Sequence, residues 1–181
     1  MSEREAQVRD AHVALIARAK AGDPNAFDDL VRPLLGPAYR LSYSMLLDRQ
    51  EAEDAVQEGC FKAWRKVSSF RYGSAFRPWF MTIVSNQCRS IRRRSWWSVL
   101  KLNETPDRPA HSEPDGVLDL QGALEKLPRS DRALLTLRYY MDLPVDEVAQ
   151  ILGISASATK SRMHRLLLRL RPELELSEEV R

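Results

Sequence analysis

Cysteine is scarce: Cys60 and Cys88 are the only two in 181 residues. Without a C-x-x-C or comparable spacing, a thiolate metal centre and a disulfide framework are excluded, and a reducing compartment is expected. Both thiols read as small core hydrophobes. Glycine is also thin, at 7 residues, and the Val/Ile/Thr alternation of strands is missing. Apolar residues recur at helical spacing instead, so an all-α protein is expected. No apolar run approaches the roughly 20 residues of a membrane span. The opening Met1-Ser2-Glu3-Arg4-Glu5 carries no apolar export segment, so a soluble, cytoplasmic protein is expected. Histidine is limited to His12, His111 and His164, in three unrelated contexts. No carboxylate–histidine cluster accompanies them, so metal-assisted hydrolysis has no candidate residues, and neither an enzyme, a cofactor nor a metal is expected.

What the chain has is charge, unevenly placed. The net value is only +3. Yet Arg89, Arg92, Arg93 and Arg94 cluster without an acid, as do Lys160, Arg162, Arg165, Arg169 and Arg171. Between residues 48 and 58, Arg49 alone stands against Asp48, Glu51, Glu53, Asp54 and Glu58. Two separate basic patches suit a polyanion touched at two places, and the acidic segment suits a second partner of another kind.

The helical pattern divides into two blocks. A first helix over 10–21 closes at Gly22, and Asp23-Pro24 opens a second, with an N-cap acceptor before a proline at N1. Phe27, Leu30, Val31, Leu34 and Leu35 then form one apolar stripe. Pro33 and Pro37 should kink or divide the helix, which resumes through Leu41, Met45 and Leu46. A helix over 49–66 is expected to bury Ala52, Val56, Cys60 and Ala63. After an aromatic loop at 67–77, Pro78 opens a helix with Phe80, Ile83, Val84 and Ile91 inward and Thr82, Asn86, Arg89 and Arg93 outward. Turn chemistry around Pro106, Pro109 and Pro114 marks a linker, against whose preceding helix Trp96 and Trp97 should pack. The expected division is a first domain at 10–95, a flexible linker at 96–116, a second domain at 117–172 and an acidic tail at 173–181. In the second domain Val117, Leu120, Leu124 and Leu127 form a stripe. Ser130 should cap a helix to about Tyr140, Pro144 should begin a third that ends at Gly153, and a fourth should run from about Ala156 to Leu170.

The segment from Pro144 to Leu170 fits a helix-turn-helix. Ala149 permits close helix approach, Gly153 makes the tight turn, and Val148, Leu152 and Ile154 lock the pair. With Thr159, Met163, Leu166 and Leu170 inward, Ser157, Lys160, Ser161 and His164 share the outward face, flanked by Arg162 and Arg165. Such a face can enter a major groove.

Three segments in order carry a family resemblance. Asp48 to Glu58 is similar to region 2.2 of the sigma-70 family. Phe70 to Phe80, with Ile83 and Asn86, resembles regions 2.3 and 2.4. Leu127-Pro128 and the run from Gly153 to Arg165 resemble region 4. The chain resembles the extracytoplasmic-function branch of that family, which implies two small helical domains, a region 2 bundle and a region 4 helix-turn-helix.

The resemblance implies a role for each patch. Asp54, Gln57, Glu58 and Phe61, on one helix face, would dock on the coiled coil of the largest subunit of RNA polymerase core. The second domain would meet the flap of the second-largest subunit. Phe70, Arg71, Tyr72 and Phe76, with Asn86, Arg89 and Arg93, would hold a base flipped from the minus-ten element and the phosphates beside it. Extruding a base costs a few kcal/mol, and stacking returns about 1–3 kcal/mol per base. Ser157, Lys160, Ser161, Arg162, His164 and Arg165 would read the minus-thirty-five element of promoter DNA. An anti-sigma factor is implied as a further partner. Where the family often has Gly-Thr-Val, this chain has Ser157-Ala158-Thr159, which removes a phosphate or cap contact and puts a hydroxyl at a core position. The extra middle domain and acidic extension of housekeeping factors are missing, as in the small branch. The rival readings are an autonomous transcription regulator, which leaves the acidic face and aromatic loop idle, and a nuclease, which lacks its residues.

Overall fold

The computed structural model describes residues 3–71, 73–102 and 127–179, with side chains at 11–71, 73–94 and 127–170. Tyr72, the Val117, Leu120 and Leu124 stripe, linker residues 103–116, and the side chains of Trp96, Trp97 and the acidic tail lie outside them. Every regular element among the described residues is helical.

Helix α1 spans Glu3–Lys20 and stops where Gly22 takes a φ of 93°. Asp23 then caps α2, Pro24–Val31. One carboxylate oxygen accepts from the Asn25 and Ala26 amides at 3.0 and 3.2 Å. The other takes the Arg18 guanidinium at 2.6 and 2.9 Å, tying α1 to α2. Phe27, Leu30 and Val31 are buried as the stripe predicts, but Leu35 is 36% exposed. The reason is Pro33, which sits in a 3-10 turn over Arg32–Leu34. Its three residues per turn rotate the stripe before α3, Leu35–Leu46, begins.

Helix α4, Arg49–Lys66, is capped by Asp48, whose Oδ1 accepts from the Glu51 amide at 2.8 Å. Its fully buried line is Ala52, Ala55, Gly59 and Ala63, with Val56 and Cys60 half-buried at the margin. Small residues let α5, Phe76–Leu102, approach closely. At Gly59 the approach is tight enough that an added Cβ would stand 2.8 Å from Val84 Cγ2. Phe80, Met81, Val84 and Cys88 of α5 close this core. The helix continues past the expected boundary at 95, because residues 95–102 contain no proline or glycine to end it.

The second half starts with α6, Arg129–Leu135, extended by a π turn over Thr136–Tyr140. Ser130 does not cap it; the N-cap position is Pro128, without a side-chain bond. Helices α7, Val145–Leu152, and α8, Ala156–Glu179, come next, joined where Gly153 adopts a φ of 68°. Val148, Ile151, Leu134, Leu137 and Leu166 form the core here. Helix α8 takes in most of the expected tail, running through Pro172 into the helix-forming Glu and Leu of 173–179.

The two halves pack against each other, α5 on α7 and α3 on α6 and its π turn. Three arginines cross the seam, and each donates to backbone carbonyls at a helix end. Arg132, 5% exposed, gives Nε to Ser44 O in the last turn of α3 at 2.8 Å. Arg77 gives Nη2 to Met141 O at 2.7 Å. Arg89 gives Nη2 to Leu152 O and Ile151 O at 2.7 and 3.2 Å, at the end of α7. The last carbonyls of a helix lack intrahelical donors and carry partial negative charge, so a guanidinium is their natural partner. Arg40 also lies over the Tyr140 ring, 4.5 Å from its centroid.

Candidate nucleic-acid interface

The acidic face of α4 is laid out as its spacing requires. Asp54, Gln57, Glu58 and Phe61 are all exposed, and 56% of the apolar Phe61 faces solvent. They line an open groove whose other wall is α5, through Gln87, Ser90, Ile91 and Arg94. Lys62 bridges the two walls, donating to Gln87 Oε1 at 2.7 Å and standing 3.3 Å from Glu58. Glu51 lies at the groove's end. Burial, with Asp48 and Asp54 adding repulsion and Arg129 opposing, raises its carboxyl above the usual range. The groove thus carries Glu51, Asp54 and Glu58 on the same helix as the exposed Phe61 ring.

The aromatic segment divides into buried and exposed residues. Phe70 and Phe76 are buried at 3% and 2%. They meet edge to face at 5.7 Å, and Trp79 packs on both at 5.1 and 5.3 Å. This cluster closes the core and forms the floor from which Arg71, Gly73, Ser74 and Ala75 project, all exposed. Gly73, at a φ of 84°, reverses the chain there.

On α5, Asn86 and Arg93 are exposed. Arg89 is half-buried: beside its two α7 carbonyls, it donates Nη1 to Asn86 Oδ1 at 2.7 Å. Burial depresses its pKa from the usual arginine range. The two residues best suited to meet DNA on this helix are therefore joined to each other and to the second half.

In the helix-turn-helix, Ser155 caps α8, its Oγ accepting from the Ala158 amide at 3.1 Å. Ser157, Lys160, Ser161, His164 and Arg165 are exposed on one side. Thr159 is fully buried, and its hydroxyl is satisfied by Ser155 O at 3.0 Å, so the polar substitution costs the core no unpaired group. Arg162 is placed differently from these neighbours. It turns inward, with Nε 2.6 Å from Asp131 Oδ1 and Nη2 on the Ser130 hydroxyl. Asp131 is nearly buried, and Arg169 approaches its other oxygen at 3.7 Å. A buried carboxylate needs this pairing, so Arg162 belongs to the scaffold of α6 and α8. The spacing of α8 alone could not reveal it, because the partner sits 31 residues earlier.

Among the described residues the protein is helical and combines a groove with acidic residues on α4, a basic helix bearing Asn86 and a helix-turn-helix. Comparison with known proteins narrows the class. The model of Sigma-70 region 2 matches residues 30–98, and that of Sigma-70, region 4 matches residues 118–170. The chain is 30% identical over 176 residues to the ECF RNA polymerase sigma factor SigW of Bacillus subtilis (strain 168), covering 88% of this chain and 94% of that protein. It is 31% identical over 164 residues to the ECF RNA polymerase sigma factor SigM of Mycobacterium tuberculosis (strain ATCC 35801 / TMC 107 / Erdman), covering 88% and 83%. Among solved structures it is similar to the sigma factor RpoE of Bartonella quintana in complex with the anti-sigma factor NepR, with a TM-score of 0.70 and 28% identity over 82% of this chain and 96% of that one. The chain belongs to the extracytoplasmic-function branch of the sigma-70 family. It is a sigma factor, which directs RNA polymerase to promoters, in a family of non-enzymatic transcription proteins. Among the described residues no helix is long and apolar enough to cross a membrane.

Proposed function

We propose that the chain divides promoter opening among its surfaces. The α4 face of Asp54, Gln57, Glu58 and Phe61 docks on the basic coiled coil of the largest polymerase subunit, with Phe61 as the apolar anchor inside a charged rim. The loop at 71–75 and Asn86 receive a base extruded from the minus-ten element, while Arg89 and Arg93 hold phosphates. Phe70 and Phe76 serve as the floor of that pocket. The exposed face of α8, from Ser157 to Arg165 without Arg162, reads the minus-thirty-five duplex. Leu167 and Leu168, 42% and 54% exposed beyond it, suit contact with the flap of the second-largest subunit. The protein works in the cytoplasm and is held inactive by an anti-sigma factor, as the Bartonella relative is bound by one.

The observations that carry this reading are the exposed loop residues Arg71 and 73–75, set between the buried Phe70 and Phe76, and an exposed Asn86 on the helix that follows. Duplex recognition needs no exposed loop of this kind, whereas strand capture does. Asn86→Ala is expected to leave core binding and duplex recruitment intact and to abolish permanganate reactivity of thymines near the start site. A promoter pre-opened by mismatches should recover transcription. Normal melting by the variant would leave the loop without a role in strand capture.

A further inference from the structure

Among the described loop residues, Arg71 and 73–75, few contacts fix the loop's pose. Among the described residues its one internal backbone bond is a long one, from the Ser74 amide to Arg71 O at 3.3 Å. Its orientation must come from its anchors. The aromatic floor supplies one. The second comes from α1, which lies outside both segments matched by the family models.

Lys20, in the last turn of α1, donates Nζ to Phe70 O at 2.5 Å, across 50 residues of sequence. Phe70 is where the 3-10 turn over Val67–Ser69 ends: its amide still bonds Val67 O, but its ψ of 131° swings the carbonyl out of the turn. The peptide unit carrying that carbonyl leads directly into Arg71, so holding the oxygen sets the direction in which the loop departs. Eight residues earlier on α1, the His12 ring meets Phe76 edge-on at 6.3 Å and 79°, supporting the other end of the loop. Helix α1 therefore holds both stems. Its neighbouring cation, Arg18, is engaged with the Asp23 cap, so the two basic residues of this turn have separate tasks. A lysine half-buried against a carbonyl has surrendered much of its rotamer freedom, which solvent-facing lysines keep.

From this geometry we infer that Lys20 is a positioning residue for strand capture. Its ammonium orients the peptide between residues 70 and 71, and so fixes the pose in which the loop receives the extruded base, without touching DNA itself. The inference rests on the proposed capture role of the loop.

The test uses reconstituted holoenzyme with three variants. Lys20→Met keeps the aliphatic stem and removes the donor, Lys20→Arg keeps a donor, and Asn86→Ala reports on the capture role independently. Lys20→Met is expected to retain core affinity, promoter recruitment and the thermal midpoint, while open complex by permanganate falls about tenfold, the loss of one well-stacked base. Lys20→Arg should restore most of it, and a mismatch-opened promoter should bring Lys20→Met to within about twofold of wild type. If Lys20→Met melts the promoter normally while Asn86→Ala fails, Lys20 merely docks α1 and the inference is overturned. Normal melting by both variants overturns the capture reading itself. A lowered midpoint, or a defect that persists on the pre-opened promoter, makes Lys20 a residue of the fold and also overturns the inference.

Discussion

Arg162 and Gly59 show how single side chains decide what the exposed surfaces can do. Arg162→Ala removes the close partner of the nearly buried Asp131, and Arg169 stands farther off at 3.7 Å. Stranding a buried acceptor costs about 1–3 kcal/mol, so the variant should unfold at lower denaturant and weaken all promoters alike. Lys160→Ala should instead leave the unfolding curve in place and weaken DNA binding. Chemical denaturation beside promoter binding separates the two, and an unchanged midpoint for Arg162→Ala would return that residue to the DNA face. Gly59→Ala puts a methyl against Val84 Cγ2 on a β-branched side chain with little rotamer choice. It should destabilise by about 1–3 kcal/mol, and Val84→Ala in the same chain should give back most of that loss in thermal unfolding. Neither role was legible from helical spacing, which assigns a face to Arg162 but not a partner on another helix. Lys20 was equally silent, since its acceptor is a backbone carbonyl.

Helices α4 and α5 were readable because caps and turns carry their own chemistry. Asp23, Asp48 and Gly153 each end or begin an element where their residue type demands it. Where that chemistry is missing, as at residue 95, α5 runs on unbroken, and where Pro33 supplies it, a 3-10 turn divides the helix and rotates the Leu35 register. Within α4 the acidic face has a measurable consequence. Burial first, then Asp48 and Asp54, raises the Glu51 carboxyl. The folded chain thus binds this proton more tightly than the unfolded chain does. Glu51 favours folding at pH below its unfolded value, and that contribution is lost as pH rises through the folded one. Glu51→Gln should therefore be more stable than wild type at neutral pH, with the difference vanishing in acid, as thermal midpoints across pH would record. A wild-type advantage at neutral pH would mean that Arg129 outweighs the burial. Polymerase binding should suffer in the same variant, because the groove has lost a charge that a basic partner would neutralise.

At the scale of the molecule, the docking of the two halves was the least legible feature. Its acceptors are the carbonyls of Ser44, Met141, Ile151 and Leu152, which any residue type would offer. Its functional weight lies in Arg89, whose Nη2 serves two α7 carbonyls and whose Nη1 holds Asn86. Under the proposed phosphate role of Arg89, the Nη2 donors that α7 occupies are withheld from DNA, and promoter binding would then compete with the closed arrangement. In such a competition, every 1.4 kcal/mol of docking lowers the apparent DNA affinity about tenfold. Loosening the seam at residues remote from DNA should therefore tighten DNA binding by the free protein. Arg40→Ala removes the cation over Tyr140, and Arg132→Ala removes the bond to Ser44 O together with a 2.6 Å bond to Leu127 O in its own half. Both should lower energy transfer between dyes on α2 and α8 and raise affinity for promoter DNA without polymerase. Arg40→Ala is the cleaner probe, being exposed and outside both cores. Arg89→Ala should open the chain equally yet fail to gain affinity, since it discards the phosphate contact along with the latch. If Arg40→Ala and Arg132→Ala open the chain but leave DNA affinity at the wild-type value, Arg89 is not the shared group. The occlusion would then have to lie elsewhere on α5.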